Sequence, residues 1–197
     1  MQQQLTIPLM SVFNAGYISQ RTGKPVMQNK PYKVEVPITH IYKYIVGDYA
    51  KKETLELRAE KDEDKQKEMK MLTLRYCTPC GTFSYRNSKG LIMPSNILPV
   101  DIDDIKDKDT LATLKAKLPD DRRYETALLF TSPRGNGIKW FIDVSRMAEE
   151  KPADVFRKVA RYVQFEYGVL IDESGKDVAR ACYLCHDPEC YINPKYL

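Results

Sequence analysis

The sequence predicts an α+β protein, with an RRM-like, antiparallel-mixed sheet, helices packed on it and an N-terminal α/β extension. Two observations lead to this class. Strand and helix patterns in the later part of the chain follow the order β-α-β-β-α-β, which is typical of a split β-α-β sheet with helices on one face. The first third instead combines one strand pattern with helical spacing of apolar residues and a long charged run.

Three segments predict the N-terminal extension. Residues 4–13 carry β-branched and aromatic residues and predict a strand. Helical spacing of apolar residues predicts a helix over 38–50, and the run 51–70, with acids and bases three and four apart, predicts a solvated helix. A partner-binding stripe is the alternative interpretation of that run. We therefore expect 1–70 to be part of the same domain or a small lobe, and 71–197 to be the core.

The core elements are predicted from local signals in chain order. An apolar stretch that ends in acidic residues predicts a strand, and an Asn-Gly turn between two apolar stretches predicts a hairpin. Pro152 is typical of a helix start and Gly168 of a helix stop. The predicted elements are a strand at 95–105, a helix at 107–118, a hairpin at 126–144, a helix at 152–167 and short strands at 169–172 and 179–185.

Composition restricts the function classes. Hydrophobic residues make up 43% and charged residues 29%, as in a globular protein, and no apolar run is long enough to cross a bilayer. The N-terminus lacks the pattern of a secretory signal, so we expect a cytoplasmic protein without a membrane partner. A net charge of +4 permits contact with nucleic acid but lies below that of a dedicated DNA-coating protein. The two histidines, His40 and His186, have no partners arranged as a nucleophilic triad.

The sharpest chemical signal is the acidic pair Asp101 and Asp103. Residues i and i+2 of a strand point to the same face, so the two carboxylates are expected to project together. Mg²⁺ and Mn²⁺ prefer such oxygen ligands, and Asp172, after another apolar stretch, could supply a third. The alternative is a strand end that runs into an acidic loop.

A second signal is the turn between the two strands of the predicted hairpin. Gly135 and Gly137 permit backbone conformations that expose N–H groups, and Arg134 and Lys139 add positive charge beside them. With Ser132, this turn is a candidate site for a nucleoside triphosphate. An ordinary hairpin turn is the alternative, since Asn-Gly is a favoured hairpin dipeptide.

The cysteines allow a third hypothesis. Cys77 and Cys80 form one C-x-x-C pair, and Cys182 and Cys185 form another. Four thiolates could close a tetrahedral zinc site if the fold brought the pairs together. Buried free thiols are the alternative, and they are favoured because the second pair also has a strand pattern, in which i and i+3 point to opposite faces.

Four stretches carry a resemblance to a known family. In order and spacing they resemble the N-terminal domain of virulence-protein-E-like (VirE N-terminal) proteins, which is grouped with the archaeo-eukaryotic primase, or primase-polymerase, superfamily. Residues 1–70 match it only loosely. The stretches are TPCGTFSYR at 78–86, ILPVDIDDI at 97–105, FTSPRGNGIKWFIDV at 130–144 and YGVLIDESGKDVARACYLCHDPECYINP at 167–194.

The resemblance implies a primase-polymerase core with a Mg²⁺ or Mn²⁺ site. The acidic pair of that superfamily falls on Asp101 and Asp103, and its third motif on Asp172. Nucleoside triphosphates and a DNA or RNA template are the implied partners. Family members are often followed by a helicase-type ATPase domain, which is a further expected partner, although no G-x-x-x-x-G-K-[ST] motif occurs in the 197 residues.

The resemblance also implies the nucleotide-binding residues. The triphosphate-binding turn falls on 132–137, and Lys139 stands where the superfamily has a histidine. A recurrent arginine and asparagine of the family fall on Arg180 and Asn193. A lysine can hold a phosphate as a point charge, without the titration of histidine.

Three functions follow from these signals. The first is a metal-dependent nucleotidyltransferase of primase-polymerase type, acting in replication of a mobile element; it predicts that the three carboxylates converge in one cleft. The alternative is a catalytically degenerate nucleic-acid-binding or scaffold domain with the same fold, which predicts a basic groove around Arg134, Lys139 and Arg180. A zinc-stabilised interaction module is the third.

Overall fold

The computed structural model describes residues 6–197, apart from the side chain of Ser174. Its strands are β1 Leu9–Phe13, β2 Tyr17–Ile18, β3 Pro25–Val26, β4 Lys33–Pro37, β5 Tyr76–Thr78, β6 Gly81–Phe83, β7 Leu91–Pro94, β8 Ile97–Ile102, β9 Glu125–Thr131, β10 Ile138–Asp143, β11 Cys182–Tyr183 and β12 Tyr191–Ile192. Its helices are α1 Ile38–Val46, α2 Lys51–Ala59, α3 Glu63–Thr73, α4 Lys108–Lys117 and α5 Pro152–Tyr167. The α+β class is confirmed.

Two four-stranded antiparallel sheets form the frame. The first has the order β11-β5-β1-β4 and the second the order β12-β9-β10-β8. The predicted 126–144 hairpin is confirmed as β9 and β10. In the second sheet, β10 also pairs with β8, which places Lys139 directly opposite Asp101.

The first sheet draws strands from both sides of residue 70. Strands β1 and β4 come from the N-terminal part, β5 follows it, and β11 comes from near the end of the chain. Because backbone hydrogen bonds join these strands, the N-terminal extension and the core share one sheet.

The N-terminal strand and helices follow their predicted positions with local interruptions. The first strand begins at Leu9 within the predicted span, whose first two residues, 4 and 5, lie outside the described residues. The predicted helix over 38–50 is interrupted at Gly47, whose backbone is extended, and ends in a short 3-10 turn. The charged run divides into α2 and α3 because the side chain of Asp62 accepts the N–H groups of Asp64 and Lys65 and starts a new helix.

The end of the chain differs from the prediction. Residues 169–172 form no strand, because only the Asp172 N–H bonds to β8, through the Asp101 carbonyl at 2.9 Å, before a 3-10 turn follows. The segment predicted as a strand at 179–185 pairs only over Cys182–Tyr183, and it joins the first sheet through β5. Strand β12, which the sequence analysis did not identify, closes the second sheet against β9.

The second sheet is buried on both faces, so it forms the middle of three layers, between the first sheet with α1 and α2 on one side and α4 with α5 on the other. One face contributes Leu128, Phe130 and Phe141 to a core shared with the first sheet, α1 and α2. The other face contributes Leu129 and Trp140 to a core closed by α4 and α5. Burial on both faces explains why β9 and β10 are nearly continuous apolar runs without polar alternation.

None of the helices in the described part of the chain has the length and apolar character needed to span a membrane.

Candidate active site

Three carboxylates meet at the C-terminal end of β8. Asp101 is the penultimate residue of that strand, and Asp103 comes directly after the strand ends at Ile102. The Asp172 N–H donates to the Asp101 carbonyl, which brings the segment after α5 alongside the strand. One oxygen from each of Asp101, Asp103 and Asp172 lies within 4.8 Å of the other two. Three hard oxygen donors at this spacing fit a Mg²⁺ or Mn²⁺ ion.

Two cations already contact these carboxylates. The Lys139 ammonium reaches across from β10, donates to Asp101 and lies 3.5 Å from an oxygen of Asp103. The Arg180 guanidinium lies 2.6 Å from an oxygen of Asp172 and 3.4 Å from an oxygen of Asp101. The five side chains therefore form one connected ionic network.

Burial and charge shift the pKa values in this network. Burial raises the pKa of Asp101, and the charges of Lys139 and Arg180 oppose that rise. Burial alone would lower the pKa of Lys139, but the carboxylates of Asp101 and Asp103 outweigh it and raise that pKa above its ordinary value. Lys139 is therefore a permanent cation at neutral pH.

The network forms one side of a cavity of about 410 Å³. The acidic residues on its wall are Asp101, Asp103 and Asp177. Six basic residues outnumber them, so the cavity is suited to a polyanion. These are Lys70, Arg86, Arg134, Lys139, Lys176 and Arg180.

Three of these cations were missed in the sequence analysis: Lys70, Arg86 and Lys176. Lys70 lies in α3 and Arg86 follows β6, in segments that carry no local binding motif. Burial lowers the pKa of Lys70, and the nearby charges of Lys139 and Arg134 lower it further. Such mutual repulsion among like charges is relieved when an anion binds between them.

The hairpin turn brings a polar atom without a partner to the same cavity. Ser132 lines the cavity, and its buried Oγ has no hydrogen-bond partner within the described residues. The Arg58 side chain holds the turn from α2 by donating to the carbonyls of Ser132 and Pro133, both at 3.2 Å. Gly135 has a φ of +82°, the left-handed conformation that favours glycine. The turn is thus held in place from α2, and Ser132 faces a space that a ligand could fill.

The segment that contains this site matches a family model. Residues 69–192 match the model of the BT4734-like, N-terminal domain. The chain belongs to this family. The matched segment includes all three carboxylates and all six cavity cations, whereas Arg58, which supports the turn, lies outside it. No curated protein and no solved structure matches the chain.

Asn193, which was expected to bind nucleotide, lies away from the cavity. Its side chain donates to Glu125 and to the Thr126 carbonyl, both at 3.0 Å, at the start of β9. Strand β12 runs antiparallel to β9, so the residue after it lies near the start of β9, whereas Ser132 follows its end. Asn193 also accepts the Lys195 N–H and so acts as a local cap.

The structure does not gather the cysteines into a ligand group. Among the described residues, the only group of three or more candidate metal ligands is the aspartate triad. Cys77 and Cys182 face each other on β5 and β11, and Cys185 is buried beside the Thr131 carbonyl. Burial raises the pKa of both Cys80 and Cys185 to about 12, which favours neutral thiols.

Proposed function

We propose that the chain is a metal-dependent nucleotidyltransferase of primase-polymerase type, from the VirE-like branch of that superfamily. The observation that carries the proposal is the cluster of Asp101, Asp103 and Asp172, of which the first two line a cavity whose basic residues outnumber its acidic ones. Carboxylates that hold divalent ions beside a site for a polyphosphate are the arrangement that phosphoryl transfer requires.

The aspartates would hold Mg²⁺ or Mn²⁺. When bound there, the metal would activate a 3′-hydroxyl and neutralise the charge of the triphosphate. The triphosphate would lie against the basic wall, beside Ser132 and Arg134 of the turn. Lys70 and Arg86 would supply further positive charge. The charge of the triphosphate would offset the repulsion among the wall cations. The unpartnered Ser132 Oγ would hydrogen-bond to it.

The partners follow from this chemistry. A primase-polymerase extends a DNA or RNA strand on a template, so nucleic acid is the second substrate. As a replication protein of a mobile element, the chain would act in the cytoplasm, with a helicase-type ATPase domain or protein to open the duplex.

Primer extension and de novo dinucleotide synthesis with Mn²⁺ or Mg²⁺ test the proposal. The Asp101→Asn/Asp103→Asn variant removes two ligands and keeps side-chain size. We expect its rate to fall about a thousandfold, since metal ions supply several kcal/mol of transition-state stabilisation and each ~1.4 kcal/mol is tenfold in rate.

The matched control is Asp109→Asn/Asp120→Asn, which makes the same change of charge at two exposed positions on and after α4. It should extend primers at the wild-type rate. Folded wild-type protein that yields no product with any template would refute the polymerase proposal.

A non-catalytic nucleic-acid-binding domain is the second candidate. It is favoured by one observation, the contact of Lys139 with the two aspartates that a polymerase would use for metal. This candidate predicts no product but binding to single strands that weakens steeply with salt, and a smaller salt slope in Arg134→Ala and Arg180→Ala variants.

A further inference from the structure

The acidic pair is neutralised by the protein itself. The ammonium of Lys139 contacts Asp101 and lies 3.5 Å from Asp103, and the Arg180 guanidinium bridges Asp101 and Asp172. Three carboxylates and two cations leave a formal charge of −1 in the network (−3 + 2). The site is therefore much less attractive to a second cation than three free carboxylates would be.

Lys139 competes with a divalent ion for the same atoms. The Asp101 Oδ1 that accepts its hydrogen bond is on a carboxylate of the triad that would bind metal. The side chains of Lys139 and Asp101 are only 12% and 11% exposed, so water screens this contact weakly. Because the Lys139 ammonium and a divalent ion at the same carboxylate repel each other, a metal binds there much more tightly when the ammonium moves away.

The cavity wall determines where the ammonium can move. The same wall carries Lys70, Arg134 and Arg180, whose positive charges repel the Lys139 ammonium. A polyphosphate in the cavity would make the cavity attractive to the Lys139 ammonium, because phosphate oxygens accept hydrogen bonds from the ammonium and attract its positive charge.

We propose that Lys139 is an internal counter-cation that keeps divalent ions out of the aspartate site until a polyphosphate occupies the cavity and accepts the ammonium. Metal and polyphosphate binding are then coupled through one side chain, and this coupling is reciprocal. The inference rests on the proposed metal site, but it concerns the order of assembly and does not require that the domain polymerise nucleotides.

The first test is Mn²⁺ binding without nucleotide or nucleic acid, measured from the electron paramagnetic resonance signal of free Mn²⁺. Lys139→Gln removes the charge and keeps an N–H donor for Asp101. We expect it to bind Mn²⁺ at least about tenfold more tightly than the wild type, since one close like charge is removed. Lys70→Gln makes the same change of charge on the same cavity without a contact to the aspartates, and it should have a smaller effect.

Thermal unfolding supplies a second readout. Lys139→Gln leaves Asp101 with only the Arg180 contact at 3.4 Å, so we expect a lower Tm without metal and recovery on addition of Mn²⁺. If the variant does not fold even with saturating Mn²⁺, the ion cannot replace the ammonium and the inference is wrong. Equal Mn²⁺ affinity of Lys139→Gln and the wild type would also overturn it.

A third experiment tests whether phosphate oxygens bind the Lys139 ammonium. It uses inorganic triphosphate, with a chelator present to remove divalent ions. Calorimetry should show binding to the wild type and binding at least about tenfold weaker to Lys139→Gln. Equal affinity would refute the transfer of the ammonium to phosphate. These results are separate from primer extension: tighter Mn²⁺ binding without any product would uphold the inference and refute the proposed function.

Discussion

Gly137 lies where the hairpin turn passes against the end of β8. A Cβ atom built on it would lie 2.5 Å from the Ile102 carbonyl oxygen and 3.1 Å from the Asp103 carboxylate. Backbone atoms cannot yield as a flexible side chain can, so Gly137→Ala must displace the strand end that carries Asp103. We expect a loss of about 1–3 kcal/mol in the free energy of unfolding, measured by urea denaturation, and weaker Mn²⁺ binding.

Gly168→Ala is the control for this prediction. Gly168 ends α5 with a φ of +68° and has open space around its Cα, so alanine there costs about 1–2 kcal/mol through backbone strain alone. Both variants lose stability, but only Gly137→Ala should lose Mn²⁺ affinity. Unchanged affinity in Gly137→Ala would show that Asp103 tolerates the shift.

At the scale of elements, a buried carboxylate joins the C-terminal segment to the end of β9. Asp187 accepts the Thr131 N–H at 2.6 Å and lies 3.4 Å from the Lys115 ammonium of α4. Burial alone would raise the pKa of Asp187, but these partners hold it below its ordinary value. The bond anchors the strand end from which the Ser132 turn departs.

The lowered pKa sets the sign of a pH effect. The unfolded chain takes up the proton more readily, so the stabilisation is present above about pH 4 and is lost as the pH falls through the folded-state pKa. Asp187→Asn should lower the free energy of unfolding by about 1–3 kcal/mol at pH 7. Urea denaturation of both proteins at a series of pH values should show the difference shrinking below about pH 4.

Glu189→Gln tests whether the effect belongs to the buried contact. Glu189 pairs with the same lysine at 3.1 Å, but its side chain is 80% exposed. We expect a change of less than about 0.5 kcal/mol, because water screens an exposed pair. Equal losses in the two variants would assign the effect to Lys115 and would contradict a special role of Asp187.

At the scale of the whole molecule, the family segment depends on residues before it. Strands β1 and β4 complete the sheet that contains β5, and N-terminal side chains fill the core against one face of β9 and β10. Without them, β5 would present a bare edge and the second sheet an exposed apolar face. The side chains lost to that core are Met10, Val12, Val36, Ile38, Ile41, Ile45, Ala50 and Leu57.

A fragment of residues 71–197 should therefore fail to unfold cooperatively in urea and should lack near-ultraviolet circular dichroism. Adding a 1–70 fragment in trans should restore both signals, because the missing strands can pair with β5. A sigmoidal transition from 71–197 alone would establish that segment as an independent domain.

Much of the frame could be predicted from local pattern. The hairpin, α4 and α5 lie within a residue or two of their predicted positions, because turn chemistry, helix caps and apolar spacing act over a few residues. The shared face of Asp101 and Asp103 followed from the period of a strand. The absence of a strand at 169–172 was not predictable in this way, since an apolar run gives no sign of whether a partner edge is available.

The sequence by itself determined the acidic pair, the glycine-containing turn and the two basic residues beside it, Arg134 and Lys139. Only the tertiary structure decided that Asp172 completes the triad, that Lys70 and Arg86 reach the same cavity, and that Asn193 does not. The physical reason is the separation in sequence of the residues that interact. Turns and caps depend on neighbours in sequence, whereas an ionic network depends on sheets and layers that bring together residues separated by tens of positions.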